Sequence, residues 1–314
     1  MPADEVPVEM AAALNENAFG LLQLGGVNGI DVGGDDADEY TLRLLVNDPD
    51  DPLWGLPDSI GGFPYVLVAD TQLEQAGIPD QKTYGMPGTD PIMRGIQLGP
   101  AAIVGGNVHT GRLGCLFHDS DELPVAVSNA HVIFGAVGDL IQQPAPHTDP
   151  APPIERLGSL RQCLAPDTPS LFPGGLASGF FDAALYGVDG ARTAKVGWIA
   201  DIGAATAISS PQIGSVVRKC EYPTGVSPGV IEGTLGAYVA HNHDGSERWI
   251  LLGQVSIVMI PDLGLNPEGV WSRSGDSGSV VVNESNEIVA LHWGGHGMRG
   301  YASDFAPIAF GIGL

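Results

Sequence analysis

Short apolar segments separated by turns recur along most of this chain. Twelve of them follow residue 100 at regular spacing, and 45 glycines and 25 prolines among the 314 residues mark the turns. This pattern is typical of antiparallel β-structure, in which each strand ends at a tight turn. Twelve strands fit two six-stranded barrels. The predicted strands are 112–118, 123–129, 139–142, 154–163, 180–188, 195–200, 215–221, 229–240, 249–259, 278–282, 287–293 and 300–308.

The beginning of the chain has a different pattern. Residues 7–18 start with proline and continue with helix formers, which predicts a helix. The turn-rich sequence between residues 72 and 100 predicts a boundary near residue 95. We therefore expect a small α+β module over residues 1–95, with a docking, regulatory or autoinhibitory role, and the two barrels over residues 96–314. The module's predicted strands are 21–32, 40–46 and 62–69.

The charge of the chain excludes several classes of partner. Acidic residues outnumber basic ones by 37 to 13, and the formal net charge is −24. Such a surface repels nucleic acid and anionic membranes, so we expect neither as a partner. No apolar run approaches the roughly 20 residues of a membrane span, and the amino terminus lacks the pattern of a secretory signal. Three cysteines at unrelated spacings predict free thiols, and we expect a cytoplasmic protein.

The segment SGDSGS at 274–279 carries the strongest chemical signal. A nucleophilic serine requires a tight turn flanked by glycines, which exposes the hydroxyl and directs backbone N–H groups at one point. The segment therefore predicts Ser277 as a nucleophile, with the N–H groups of Gly275 and Ser277 as an oxyanion hole. Taken alone, it is equally compatible with a hairpin loop rich in glycine and serine.

Two further segments supply a base and an acid. SNAHV places His131 after a predicted strand, where a general base can be held, although a structural histidine is the alternative. FFDAALYGV places Asp182 among apolar neighbours, and a buried carboxylate requires a partner such as the imidazole N–H of His131. Three acids in turn-rich sequence are weaker candidates for this role: Asp139, Asp149 and Asp167.

The chain order His, Asp, Ser differs from that of α/β-hydrolases and of subtilisin-type enzymes. SNAH, FDAAL and GDSGS resemble the His, Asp and Ser boxes of the trypsin/chymotrypsin-like serine peptidases over residues 100–314, and the N-terminal part is similar to an extra module of bacterial and archaeal relatives. The resemblance implies a double β-barrel that hydrolyses polypeptides through an acyl-enzyme, without a cofactor. A non-catalytic scaffold that binds a protein partner and a self-cleaving enzyme remain alternatives.

The resemblance also implies a set of substrate-binding residues. Trp271, six residues before the nucleophile, is expected at the base of the primary specificity pocket, with Gly300 as a further wall. An acid at this position would favour cleavage after Lys or Arg, so we expect an apolar or small residue at the cleavage site instead. Three residues are expected to form the strand that pairs with the substrate backbone: His292, Trp293 and Gly294.

Activation and metal binding are two further questions that the sequence raises. IVGG at 103–106 resembles the amino terminus that trypsin zymogens expose, whose ammonium pairs with the aspartate before the nucleophile, here Asp276. The segment lies too close to His131 for that role, so we expect a neighbouring side chain such as Arg273 to satisfy Asp276.

The HNH run at 241–243 has no third ligand nearby and predicts a solvated hairpin tip, with no metal.

Overall fold

The computed structural model describes residues 5–34, 39–50, 53, 55–70, 92–94, 97–100, 110–133, 135–143, 155–166, 177–189, 193–221, 225–241, 248–261, 266, 269–273 and 275–314. Its elements, in chain order, are α1 (Val8–Leu22), β1 (Val27–Gly34), β2 (Tyr40–Val46), β3 (Tyr65–Ala69), β4 (Ile92–Arg94), β5 (Gln97–Pro100), β6 (Gly111–Arg112), β7 (Cys115–His118), β8 (Pro124–Ser128), α2 (Ala130–Ile133), β9 (Leu140–Gln143), β10 (Glu155–Leu164), β11 (Ala177–Gly179), β12 (Ala183–Val188), β13 (Ala194–Ile199), β14 (Gly203–Ala204), β15 (Val216–Glu221), β16 (Gly225–His241), β17 (Arg248–Met259), β18 (Val280–Asn283), β19 (Ile288–His296), β20 (Arg299–Asp304) and α3 (Phe305–Gly311).

The first barrel is a sheet in the order β6-β5-β9-β10-β12-β8-β7, and its strands pair antiparallel. Only two residues separate β6 from β7, so these two form one interrupted strand that closes the sheet on itself. The ring therefore has six strands. Its interior is filled by buried apolar side chains, among them Leu116, Ala126, Ile141, Leu160 and Tyr186.

The second barrel is formed by the six strands β15 to β20. The sheet runs β17-β20-β19-β18-β15-β16, and a further pairing of β16 with β17 closes it. All of these pairings are antiparallel, as the turn-punctuated sequence predicts. The predicted fold class, mainly β with a chymotrypsin-like double barrel, is confirmed. A smaller sheet, in the order β14-β13-β4, accompanies the two barrels.

The N-terminal elements extend the second barrel. β1 pairs antiparallel with β16, so β1, β2 and β3 continue the same sheet. Helix α1 covers them with an apolar stripe at helical spacing, and its buried side chains share a core with the strands. The predicted helix continues to Leu22, and for this reason the strand predicted at 21–32 begins only at Val27. The domain boundary near residue 95 stays a prediction.

Two other predicted strands differ from the observed elements. β12 begins at Ala183, so Asp182 precedes the strand that we expected to contain it. The segment predicted as a strand at 300–308 divides at Asp304, whose carboxylate accepts the N–H of Ala306 and caps α3. None of the helices in the described part of the chain is long and apolar enough to cross a membrane.

Candidate active site

Asp182 holds His131 at two points. Its Oδ1 accepts the backbone N–H of His131 at 3.0 Å, and its Oδ2 contacts Nδ1 of the imidazole ring. The carboxylate is 2% exposed, and Asn129 fixes its backbone by donating from Nδ2 to the carbonyl of Asp182 at 2.6 Å. Because the carboxylate accepts the proton on Nδ1, the neutral imidazole keeps its lone pair on Nε2. The arrangement prepares Nε2 to accept a proton.

The turn that carries Ser277 depends on two glycines. Gly275 and Gly278 have φ values of +89° and +93°, a region that favours glycine. At Gly278 the space is closed as well, because an added Cβ would lie 2.4 Å from both the carbonyl of Arg112 and the hydroxyl of Ser128. The N–H of Gly278 is bonded to the carbonyl of His292, whereas the N–H groups of Gly275 and Ser277 have no acceptor among the described residues.

Ser277 lies where the two barrels meet. Its carbonyl accepts the backbone N–H of Arg112 on β6 at 2.7 Å. Gly111 separates that carbonyl from Val132, the neighbour of His131, and a Cβ on Gly111 would lie 2.5 Å from each of them. This packing brings the turn that carries Ser277 and helix α2, which carries His131, together across a single glycine.

The hydroxyl of Ser277 does not engage the histidine in this conformation. It donates to the backbone carbonyl of Trp293 at 2.9 Å, and the serine is 3% exposed. Nε2 of His131 is buried and bonds to none of the residues that the structure describes. The Asp182–His131 hydrogen bond is therefore formed, whereas Ser277 bonds to Trp293 and not to His131.

Asp276 is paired with a lysine from the second barrel. Nζ of Lys219 lies 3.2 Å from Oδ2 of Asp276, and the two side chains are 0% and 2% exposed. The same oxygen accepts the backbone N–H of Arg273 at 2.9 Å. A neighbouring side chain therefore satisfies Asp276, as expected, and its ammonium is that of Lys219 on β15, while Arg273 contributes its backbone N–H. Burial lowers the pKa of Lys219 to about 8, and Asp276 opposes this shift.

The residues predicted to bind the substrate backbone lie on β19. Backbone–backbone hydrogen bonds with the turn end at His292, whose N–H donates to the carbonyl of Ser279 at 2.8 Å. Trp293 and Gly294 follow on the same strand. Burial, reinforced by the Lys219 ammonium, holds the pKa of His292 well below its usual range. His292 is therefore neutral, and its Nε2 lies 3.1 Å from the hydroxyl of Ser272. Pairing of β19 with a substrate stays a prediction.

Trp271, the predicted pocket base, lies inside the second barrel. Its side chain is 0% exposed and belongs to the apolar core of the second barrel. The ring lies against two glycines, since an added Cβ would meet it at 2.7 Å on Gly229 and at 2.2 Å on Gly300. The glycines leave room for the indole inside the barrel, where burial of its large apolar surface is favourable. A specificity pocket with Trp271 at its base and Gly300 as a wall stays a prediction.

A cavity of about 330 Å³ lies beside the His131–Asp182 pair. Its lining is mostly apolar and includes Ala130, Ala165, Pro166 and Trp249 as well as Cys163, the exposed one of the three cysteines. Its size is at the lower end of small-ligand pockets. The cavity gives the dyad an accessible side next to the barrel junction.

Sequence reasoning missed Lys219 and left other predictions untested. Lysine is rare in this chain, and one inside the apolar run VVRKC is a signal of a buried partner. IVGG at 103–106 and His243 lie outside the described residues, and the side chain of His241 is not described either. Within the described ranges, no group of three or more potential metal ligands occurs.

No family model and no curated protein matches the chain. Among solved structures, it is similar to Thermobifida fusca protease A with a TM-score of 0.47 and 16% identity, over 71% of this chain and 96% of that one. For a Nocardiopsis protease the TM-score is 0.45 and the identity 18%, over 70% and 95%. For Cellulomonas bogoriensis chymotrypsin the values are 0.45 and 16%, over 71% and 96%. The solved structures that this chain resembles are trypsin/chymotrypsin-like serine proteases.

Proposed function

We propose that this chain is a serine endopeptidase that hydrolyses peptide bonds of polypeptide substrates through an acyl-enzyme. One observation carries the proposal. Asp182 holds the imidazole of His131, whose buried Nε2 has no partner among the described residues. Ser277 lies on a glycine-flanked turn that offers two N–H groups without an acceptor in the same part of the chain. A nucleophile, a base with an orienting acid and oxyanion donors are the parts that acyl transfer requires.

In the proposed mechanism, Ser277 rotates from the carbonyl of Trp293 to Nε2 of His131. Its oxygen then attacks the scissile carbonyl while its proton passes to Nε2, and Asp182 stabilises the imidazolium. The N–H groups of Gly275 and Ser277 bind the oxyanion. The imidazolium returns the proton to the leaving amine as the C–N bond breaks. Water, deprotonated by the same histidine, then releases the carboxylate product and restores the serine.

The pairing of Asp276 supports an enzyme that needs no proteolytic activation. In a trypsin-like zymogen, this aspartate would await a new amino terminus. Here Lys219 already supplies the ammonium at 3.2 Å, and Arg273 supplies an N–H, so the nucleophile turn is held without cleavage of the chain. We propose that IVGG at 103–106 has no role in activation.

A second candidate is a non-catalytic scaffold or an enzyme that cuts only itself. The hydrogen bond from Ser277 to the Trp293 carbonyl favours the non-catalytic scaffold, because a hydroxyl donated to a carbonyl is not activated by the base. Residues 1–95 as a docking or regulatory module for a protein partner remain a prediction under either candidate.

Labelling with a fluorophosphonate probe tests the proposal, because the probe needs an activated serine and little substrate specificity. Wild type should label, and Ser277→Ala and His131→Ala should not. Ser279→Ala is the matched control, since that buried hydroxyl has no partner among the described residues, and it should label like wild type. Absence of labelling in folded wild type would refute the enzyme and favour the scaffold. Labelling of Ser277→Ala would place the nucleophile elsewhere.

A further inference from the structure

The side chain of Gln254 on β17 is fully buried, and its amide is fully hydrogen-bonded. Its Oε1 accepts from Nε1 of Trp293 at 2.8 Å and from the hydroxyl of Ser303 at 2.7 Å. Its Nε2 donates to the backbone carbonyls of Phe180 at 2.9 Å and Leu252 at 2.6 Å. A glutamine amide has two donor hydrogens and two acceptor lone pairs, so every one of them is used.

Two of these partners belong to opposite sides of the candidate site. Phe180 precedes Asp182 by two residues, in the short segment between β11 and β12. Trp293 lies on β19, and its carbonyl accepts the hydroxyl of Ser277. One amide therefore joins the segment that carries the acid to the strand that contacts the nucleophile.

The hydrogen bond from Gln254 to the backbone carbonyl of Phe180 holds the Phe180 end of this connection. The side chain of Phe180 is 59% exposed, so it is weakly anchored by burial. β11 pairs in parallel with β17, and the last pair is Gly179 with Leu251. The hydrogen bond from Gln254 attaches the next residue, Phe180, to β17 as well, so the attachment to β17 ends two residues before Asp182. Both barrels thus contribute to the position of the acid.

We propose that Gln254 is a positioning residue for the triad: its amide fixes the distance between Asp182 and the Ser277 turn by tying Phe180 to Trp293. It touches neither the substrate nor the reacting atoms and acts through the residues that it bonds. Displacement of a catalytic group by about 1 Å costs up to roughly a hundredfold in rate. The inference rests on the proposed serine peptidase function.

The decisive variant is Gln254→Met, which keeps similar volume and removes all four hydrogen bonds. We expect the fluorophosphonate labelling rate per folded molecule to fall by about tenfold to a hundredfold. The apparent pKa of the base in the pH–rate profile should fall as well, because a displaced Asp182 stabilises the imidazolium less. Trp293→Phe is a milder second variant that deletes one N–H, and we expect a loss of several-fold. Ser303→Ala is the control: it removes a donor to the same oxygen but belongs to neither joined segment, and it should label like wild type.

A second readout does not depend on activity. The Nδ1 proton of His131, hydrogen-bonded to Asp182, should give a downfield proton NMR resonance that is absent in His131→Ala. In Gln254→Met this resonance should shift or broaden, whereas Ser303→Ala should retain it. If Gln254→Met leaves both the resonance and the labelling rate per folded molecule unchanged, the inference is overturned. If wild type fails to label, the function fails, while the resonance still decides whether Gln254 positions the dyad.

Discussion

The buried pair of Lys219 and Asp276 gives the sharpest test of the structure. The two charged atoms are 3.2 Å apart, so their attraction is about 5 kcal/mol at an effective dielectric constant of about 20. The pKa of Lys219 nevertheless falls from 10.5 to about 8, which means that holding the buried charge costs about 3 kcal/mol net. Burial therefore outweighs the attraction, and the pair serves to hold the turn more than to stabilise the fold.

Lys219→Met is the perturbation that follows from these magnitudes. It leaves the carboxylate of Asp276 buried without an ammonium, so we expect the free energy of unfolding to fall by about 3–5 kcal/mol. Asp276→Asn neutralises the carboxylate and keeps an oxygen that can accept the N–H of Arg273. The double variant should therefore be less destabilised than the sum of the two single variants, by at least about 1.5 kcal/mol.

Denaturant unfolding at pH 7 measures all four proteins of this cycle, and fluorophosphonate labelling of the folded fraction measures the state of the turn. We expect Lys219→Met to label at least tenfold more slowly. This loss in rate is smaller than the roughly hundredfold to thousandfold loss on removal of one oxyanion donor. Two results would show that Lys219 does not hold this turn. One is additive stability losses in the two single variants. The other is a Lys219→Met protein that labels like wild type and loses less than about 1 kcal/mol of stability.

Three further predictions follow from the described contacts. Gly278→Ala should abolish probe labelling, because its Cβ would lie 2.4 Å from two oxygen atoms at a φ of +93°; wild-type labelling would contradict this, and a melting scan checks that the variant folds. Burial raises the pKa of Asp70 from 3.8 to about 6, so the folded state keeps a proton that the unfolded state loses, and stability falls as the pH rises from about 4 to 6. Asp70→Asn should remove up to about 3 kcal/mol of that fall in urea titrations across this range, whereas parallel curves for the two proteins would refute the shift. Cys163, exposed in the cavity beside His131, should react first with a bulky maleimide and thereby slow labelling by the fluorophosphonate probe; Cys163→Ala, which should be insensitive to the reagent, is the control.

The sequence determined the elements whose signals are local. Apolar segments bounded by turn glycines located the six strands of the second barrel to within a few positions, because strand formation depends on side chains two residues apart. The short strands β4, β5, β11 and β14 were not predicted, and β5 lies in sequence that we expected to form turns. The glycine-flanked serine was equally visible, since a φ near +90° leaves a glycine signature. The end of α1 was less predictable, because Phe19 to Leu22 suit a helix or a strand and only packing on β1 and β2 decides between them.

Only the tertiary structure decided which distant residues share a site. Asp276 is 57 residues from Lys219, and Gln254 is 74 residues from Phe180, so neither partner is visible in a local pattern. The same holds for Trp271, whose contacts with Gly229 and Gly300 inside the second barrel no local pattern shows. The local sequence pattern determines which face of a strand is buried. Closure of the barrels determines which buried groups meet. Buried charges and amides are stable only with the hydrogen-bond partners that the closed barrels bring to them.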